Sequence, residues 1–490
     1  MRDTILHIIR EEAEKKEDKP FAADMNESIS YKEAWQRIKT AADVIKNANV
    51  KKGDTVLAEC TQDIAYIIAG LAIQLANAVF VPVEHGYSAE RLDMIRRDTE
   101  PSLFICRGDD RCGIKTVGYQ DLQKQTSSGH EHTMPDPEDL AEILFTTGTT
   151  GTPRGIEITH AANIALAENI AFGTEMREGN MEWIPLAVSH SHGLRCCYAN
   201  FYRGGSVVLT DGIRNIAGIW ELLKKYRVTA MDLSPTVMTV LLRLTKGDFT
   251  EVGSRLDYIQ IGTAALPEEL KEQIKKAFQD IRLYNFYGST ESGRSCVLNF
   301  NSADDAKHCI GREARNAHIF FTDEKGNEIE TSENRTGLLA SAGKMNMRGY
   351  HNDPEKTAEV LREGVVYTKD EGYMDKEGRV FILGRRDDVI NYMGIKITPE
   401  EIEEKVKTID GIADCACVGI SDASAGQIPV LFYSLQKGRE VKNEDISSFL
   451  KLCLDANKMV KKIYRIEEIP RTSNGKLQRK LLREINVREK

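Results

Sequence analysis

The sequence predicts an α/β protein: a large N-terminal domain of doubly wound α/β subdomains plus a β-rich portion over residues 1–386, and a small α+β domain over residues 387–490. Two observations predict it. Helical and strand periodicities alternate from Tyr31 onward, as they do where helices cover a mostly parallel sheet. The pattern then changes character near Asp387, where two strands and two helices suffice for a separate unit.

Met1 to Lys16 mixes Ile5, Ile8 and Ile9 with Arg10, Glu11, Glu12 and Lys15, an amphipathic helix and not the apolar run of a signal peptide. Tyr31 to Asn47 places Trp35, Ile38, Ala42 and Ile45 at helical spacing. A strand at Thr55 to Cys60, a helix at Asp63 to Ala76, a strand at Val79 to Val83, a helix at Ala89 to Thr99 and a strand at Leu103 to Cys106 continue the alternation. Leu140 to Thr146 opens a second series. It runs through a helix near Asn163 to Phe172, a strand at Ser206 to Leu209, and helices at Trp220 to Tyr226 and Glu268 to Phe278. In the tail, Thr398-Pro399-Glu400-Glu401 predicts a capping box with proline at the first helical position, and Ile402, Val406 and Ile409 share one face. Strands at Cys415 to Ile420 and Ile428 to Leu435 and a helix at Ile446 to Asn457 complete that unit.

The chain carries a formal net charge of −9, with its basic residues scattered, which disfavours nucleic acid as main partner. The most apolar stretch, Ile64 to Ala78, is too short to span a bilayer. Ten cysteines lie spread along the chain without zinc spacing, so reduced thiols in the cytoplasm are expected. Cys415 and Cys417 read as alternate positions of a buried strand.

Chemistry concentrates in Thr146 to Gly155, TTGTTGTPRG, which follows an apolar strand and is expected to precede a helix. Gly148, Gly151 and Gly155 free the backbone so that amides can face anionic oxygens. Thr146, Thr147, Thr149, Thr150 and Thr152 add hydroxyls, and Arg154 adds a fixed charge. No Gly-Lys-Ser/Thr closes the loop, so it is not a Walker A element.

This segment resembles the signature of the adenylate-forming superfamily, which holds acyl-CoA synthetases, luciferases and adenylation domains. The later motifs follow in order: Tyr287-Gly-Ser-Thr-Glu291, Thr368-Lys-Asp370, Gly384-Arg-Arg-Asp-Asp388 and Pro470-Arg-Thr-Ser-Asn-Gly-Lys476. The resemblance implies an enzyme that uses ATP and Mg²⁺ to adenylate a carboxylic acid and then passes the acyl group to a thiol. It implies that Thr290 touches phosphate and Glu291 holds magnesium. Tyr287 would lie against adenine, with Gly288, Asn285 and the turn Gly262-Thr-Ala264-Ala265 nearby. Asp370 and Arg385 would reach the ribose. Lys476 would bridge carboxylate and α-phosphate in the first step. The small domain would then swing as a mobile lid about Asp387, with Gly394 lining a thiol channel. Two departures stand out: Lys369 replaces the usual glycine between Thr and Asp, and Arg154 replaces the usual lysine.

In amino-acid-activating members of that superfamily an Asp early in the stretch after Pro185 binds the substrate amine, but no acidic residue occurs here from Pro185 to Tyr202, so the resemblance disfavours a free α-amino acid as substrate. The run Ser189-His-Ser-His-Gly-Leu194 resembles that of fatty and aryl acyl-CoA synthetases, with His190 bordering the acyl pocket. A stand-alone ligase is therefore expected, with coenzyme A as acceptor and the phosphopantetheine of a separate acyl or peptidyl carrier protein as the alternative. Arg195 either pairs with a second carboxylate on the substrate or forms an ion pair with an acidic neighbour.

Overall fold

The computed structural model describes the chain apart from residues 1–2, 16–17, 109–112, 125–129, 147–152, 246–248, 303, 387, 394, 423–424, 455–457, 473–476 and 489–490. The chain is α/β and divides into two compact units, one formed by residues 1–148, 152–319 and 340–367 and the other by residues 149–151, 320–339 and 368–490.

The first unit holds two sheets. In one, the parallel strands Leu140–Thr146, Val79–Val83, Thr55–Glu59, Leu103–Cys106 and Thr116–Gly118 lie side by side in that order. In the other, Pro20–Ala23, Ser206–Leu209, Met181–Ile184, Ala230–Leu233, Tyr258–Ile261 and Arg282–Ser289 run parallel, and Gly293–Asn299 returns antiparallel. One hydrophobic cluster takes Val56, Leu144 and Ile158 from the first sheet and Val207, Tyr258 and Tyr284 from the second. Helices fill the layer between. Ile64–Leu75, capped by Asp63 accepting from Tyr66 N, is buried on nearly every side, which explains its almost unbroken apolar sequence. Ser30 and Glu33 form a reciprocal capping box that starts helix Tyr31–Asn47.

The glycine-threonine segment does not lead directly into a helix. Strand Arg154–Thr159 follows it and pairs antiparallel with Leu140–Thr146, and only then does Thr159 cap helix His160–Gly173. The sequence holds the reason: Ile156 and Ile158 are buried at alternate positions, and Gly155 lies so close to Ile143, Phe145 and His351 that a side chain there would collide.

In the second unit, Ile412–Asp422 and Gly426–Leu435 form a long antiparallel pair flanked by Ile390–Tyr392 and by the parallel strand Lys462–Arg465. Cys415 and Cys417 are fully buried on one face of this sheet, and the cysteines described are all free. Thr398 does precede helix Pro399–Lys407, but its side chain makes no capping bond. Glu401 turns instead to Lys458 Nζ, at 2.9 and 3.0 Å, because a charged partner outcompetes a backbone amide. Arg479 ties the unit together, donating to Glu400 at 2.6 Å, to Glu403 and to the Cys417 carbonyl at 2.9 Å. Burial works against its charge, but Glu403, Glu400 and Asp388 outweigh burial and push its pKa up.

Candidate active site

The turn Tyr287 to Glu291 joins strands Arg282–Ser289 and Gly293–Asn299, with a register shift at Tyr287 and Gly288. Gly288 and Gly293 are required there. A side chain on Gly288 would enter the Gly293 carbonyl, and Gly293 has φ +62° with Leu166 against it. The turn is pinned by Ser292 N donating to Ser289 Oγ at 3.1 Å and by Met347 N donating to the Glu291 carbonyl at 2.8 Å.

The Glu291 carboxylate accepts from Tyr350 Oη at 2.9 Å. Burial and the Glu291 charge together push the Tyr350 phenol above its ordinary pKa, so it stays a donor. The Arg154 guanidinium stands 5.8 Å from the Tyr350 ring centre and 3.4 Å from Asp353. Two motifs far apart in sequence thus meet at Tyr350, a residue with no signal of its own in the sequence. Glu291 offers hard carboxylate oxygens of the kind that hold Mg²⁺ alongside phosphate oxygens, so the donor set fits that ion.

Asn285 donates to the Ile261 carbonyl at 3.1 Å and so fastens the Tyr287 strand to the turn that contains Gly262 and Ala264. In that turn Thr263 takes φ +75°. Gly262 is there because a side chain would overlap the His192 ring. His192 Nε2 bonds Asp232 Oδ1 at 2.7 Å; burial, then the Arg294 charge, lowers its pKa against the pull of Asp232. His190 stands at the N-cap position of helix Ser191–Tyr202 without a side-chain capping bond, and its ring bonds Glu84. Burial raises the Glu84 carboxyl, but the His190 bond and charge more than offset it and leave the pKa below its ordinary value. Gln62 fixes the preceding loop, donating to the Leu186 carbonyl at 2.7 Å and accepting from Val188 N at 3.0 Å.

Arg195 takes the ion-pair alternative: its guanidinium donates to Glu142, both side chains being essentially buried. It is therefore already engaged, which removes the expectation that it reads the substrate.

In the second unit, Asp370 and Arg385 are cross-strand partners, with Arg385 Nε 3.4 Å from Asp370 Oδ1. Asp370 N donates to Thr368 Oγ1 at 3.1 Å. Lys369 sits within strand Val365–Met374 without positive φ, so this position does not need the glycine it replaces. Its carbonyl accepts from Arg386 N at 2.8 Å. Thr146 ends strand Leu140–Thr146. Thr147, Gly148, Thr149, Thr150, Gly151, Asp387, Gly394 and Lys476 lie outside the described residues.

Glycine-turn motifs thus follow strand ends in both sheets, Leu140–Thr146 in one and Arg282–Ser289 in the other, and strand ends of open α/β sheets are where such folds bind ligands. The AMP-binding enzyme family matches residues 9–351, and the AMP-binding enzyme C-terminal domain matches residues 401–476. The chain belongs to this family. A 4-coumarate–CoA ligase of Vanilla planifolia is 25% identical over 90% of this chain and 85% of its own length. The 4-coumarate–CoA ligase 4 of Arabidopsis thaliana is 27% identical over 93% and 86%. Among solved structures, ATP-bound MatB from Rhodopseudomonas palustris shares the fold with a TM-score of 0.90 at 24% identity over 99% of both chains. The o-succinylbenzoate CoA synthetase of Bacillus subtilis does so with a TM-score of 0.88 at 21% identity over 97% of both. No described helix is long and apolar enough to cross a membrane.

Proposed function

We infer that this enzyme is an AMP-forming acid–CoA ligase: it adenylates a carboxylic acid with ATP and Mg²⁺ and transfers the acyl group to coenzyme A, in the cytoplasm, where its thiols stay reduced. The observation that carries this reading is the meeting of Arg154 and Glu291 at Tyr350. Joining two anions is favoured by positive charge held at one place, and this cluster offers a guanidinium for the phosphates and a carboxylate suited to a metal ion. The 4-coumarate–CoA ligases among the relatives support coenzyme A as the acceptor.

Glu291 would hold Mg²⁺, which supplies charge neutralisation at the phosphates when bound. Arg154 holds the phosphates with the glycine-threonine loop, and Thr290 donates to the same anion. Tyr287, Gly288, Asn285 and the turn at Gly262 and Ala264 form the adenine wall; Asp370 accepts from the ribose hydroxyls and Arg385 donates to the sugar. His190, held by Glu84, borders the acid. Residues 387–490 act as a lid that turns about Asp387, bringing Lys476 to the carboxylate for adenylation and Gly394 to the thiol path for transfer. A unit charge placed about 4 Å from the reacting phosphate contributes on the order of 4 kcal/mol at an effective dielectric near 20, ample to control the rate.

Acid-dependent pyrophosphate exchange is the test. Glu291→Gln lowers exchange by on the order of 10²-fold, and Lys476→Ala by roughly 10²- to 10³-fold while sparing transfer from supplied acyl adenylate. Unchanged exchange in Glu291→Gln removes that residue from the metal role. Thioester formed on a phosphopantetheinylated carrier protein but not on coenzyme A would move the acceptor to the carrier.

A further inference from the structure

Arg294 is six per cent exposed, yet among the described residues it has no carboxylate within ion-pair distance. Its guanidinium donates to Gln260 Oε1 at 2.9 Å and to Cys196 Sγ at 2.9 Å and stands 4.7 Å from the Phe286 ring centre. A buried guanidinium whose direct partners are neutral retains its full charge in a medium that screens it poorly; the buried Asp232 carboxylate, within 4.8 Å of the Cys196 sulfur, is bonded to His192 instead.

The position of that charge points to a use. Arg294 is the cross-strand partner of Gly288, three residues beyond Glu291. Gln260 lies two residues before Gly262, on the strand that delivers that turn. Cys196 lies one helical turn after His192, whose ring covers Gly262. The guanidinium therefore stands where the helix that follows His190 meets the Gly288 strand and the Gly262 turn, between the expected acid side and the expected adenine wall.

The same place has a competing reading, because His192, Cys196 and Asp232 have ligand atoms within 4.8 Å of one another, as a metal site would. Arg294 decides against it. Its N–H points at the Cys196 sulfur, where a cation would have to bind, and burial pushes the Cys196 thiol well above its ordinary pKa, away from the thiolate a metal needs. The Arg294 charge already occupies the place a metal cation would take.

We propose that Arg294 binds a second carboxylate at the far end of the acid substrate, making this enzyme a ligase for dicarboxylic acids; the proposal rests on the acid-ligase reading above. Neutral His192, held by Asp232, lines the path between the two carboxylates without competing for charge.

Matched acids test it in pyrophosphate exchange: succinate against butyrate, glutarate against valerate, terephthalate against p-toluate, each with wild type, Arg294→Met and Arg294→Lys. Wild type is expected to activate at least one diacid about 10²-fold better in kcat/KM than its methyl-ended analogue. Arg294→Met should lose that preference, mainly through the KM for the diacid, with activity on the analogue within about threefold. Arg294→Lys should keep part of it, which separates charge from packing. A thermal melt confirms that each variant is folded. If wild type activates the methyl-ended acids as well as the diacids, or if a folded Arg294→Met loses both alike, Arg294 does not read the substrate. If wild type exchanges pyrophosphate with no acid of any kind, the ligase reading fails, and this proposal with it.

Discussion

Helix Ser191–Tyr202 separates two buried arginines that meet opposite conditions. Arg195, on the helix itself, faces the sheet of strand Leu140–Thr146 and finds Glu142. Its neighbour Cys196 faces the other sheet and receives Arg294 from strand Gly293–Asn299, where the remaining partner is a neutral amide. The two guanidiniums are almost equally buried, so exposure does not distinguish them; the counter-charge does. A fully buried arginine matched by a buried carboxylate of its own chain has its charge consumed by the fold. One given only neutral acceptors keeps that charge for something that arrives later.

The contrast can be broken first at Arg195. Glu142 also accepts from Asn163 Nδ2 at 2.7 Å, but its Oε2 and the Nε of Arg195 have no hydrogen-bond partner, so the pair is held by few contacts and depends on mutual charge. Arg195→Met should cost about 3–5 kcal/mol, because it leaves an anion buried alone, and the double variant with Glu142→Met should recover most of it. Urea unfolding of the three proteins measures both. A single variant as stable as wild type would mean that the pair is not a fold element.

Arg294→Met should cost less, about 1–3 kcal/mol, since what it orphans is the neutral Gln260 oxygen. The same urea series, run with the two methionine variants side by side, sharpens the comparison. Equal losses at the two positions would mean that Arg294 too is matched within the fold.

How legible these features were in the sequence follows from what each depends on. Elements governed by local periodicity came out nearly residue for residue: the helix from Tyr31 to Asn47 and the strands Val79–Val83 and Leu103–Cys106 match their patterns. Strand Arg154–Thr159 was missed because six residues between a glycine-rich turn and a helix cap carry too short an alternation to separate from the loop. The capping box at Thr398 failed for a tertiary reason, the pull of Lys458 on Glu401, from 57 residues away. Motif residues such as Glu291 and Asp370 announce themselves by their neighbours in sequence. Tyr350, Glu84, Asp232 and Arg294 do not, because each acts through a partner that only the fold brings near.

The last effect bears on whether Arg294 has a hidden counter-charge. Glu182 is fully buried and holds Gln260 Nε2 at 2.7 Å, one side chain away from Arg294. If its carboxyl were ionised, Gln260 would relay a negative charge toward the guanidinium. Burial, and then the charge of Asp232, raise its pKa to about 8 against the hydrogen bonds from Gln260 and Asn200. With an unfolded value near 4.5, the native state keeps this proton between about pH 4.5 and pH 8 while the unfolded chain releases it. The stability it contributes is thus fully present below pH 4.5, is lost as pH rises toward 8, and changes no further above that. Glu182→Gln cannot titrate, so its stability relative to wild type should improve between pH 5 and pH 8 by roughly 1 kcal/mol per pH unit, read from urea midpoints at the two pH values. Parallel stability profiles would place an ionised Glu182 in the native state and give Arg294 a counter-charge at second hand. A rising difference removes Glu182 as that counter-charge and leaves Asp232, bonded to His192 and within 4.8 Å of the Cys196 sulfur, as the other described carboxylate beside this layer.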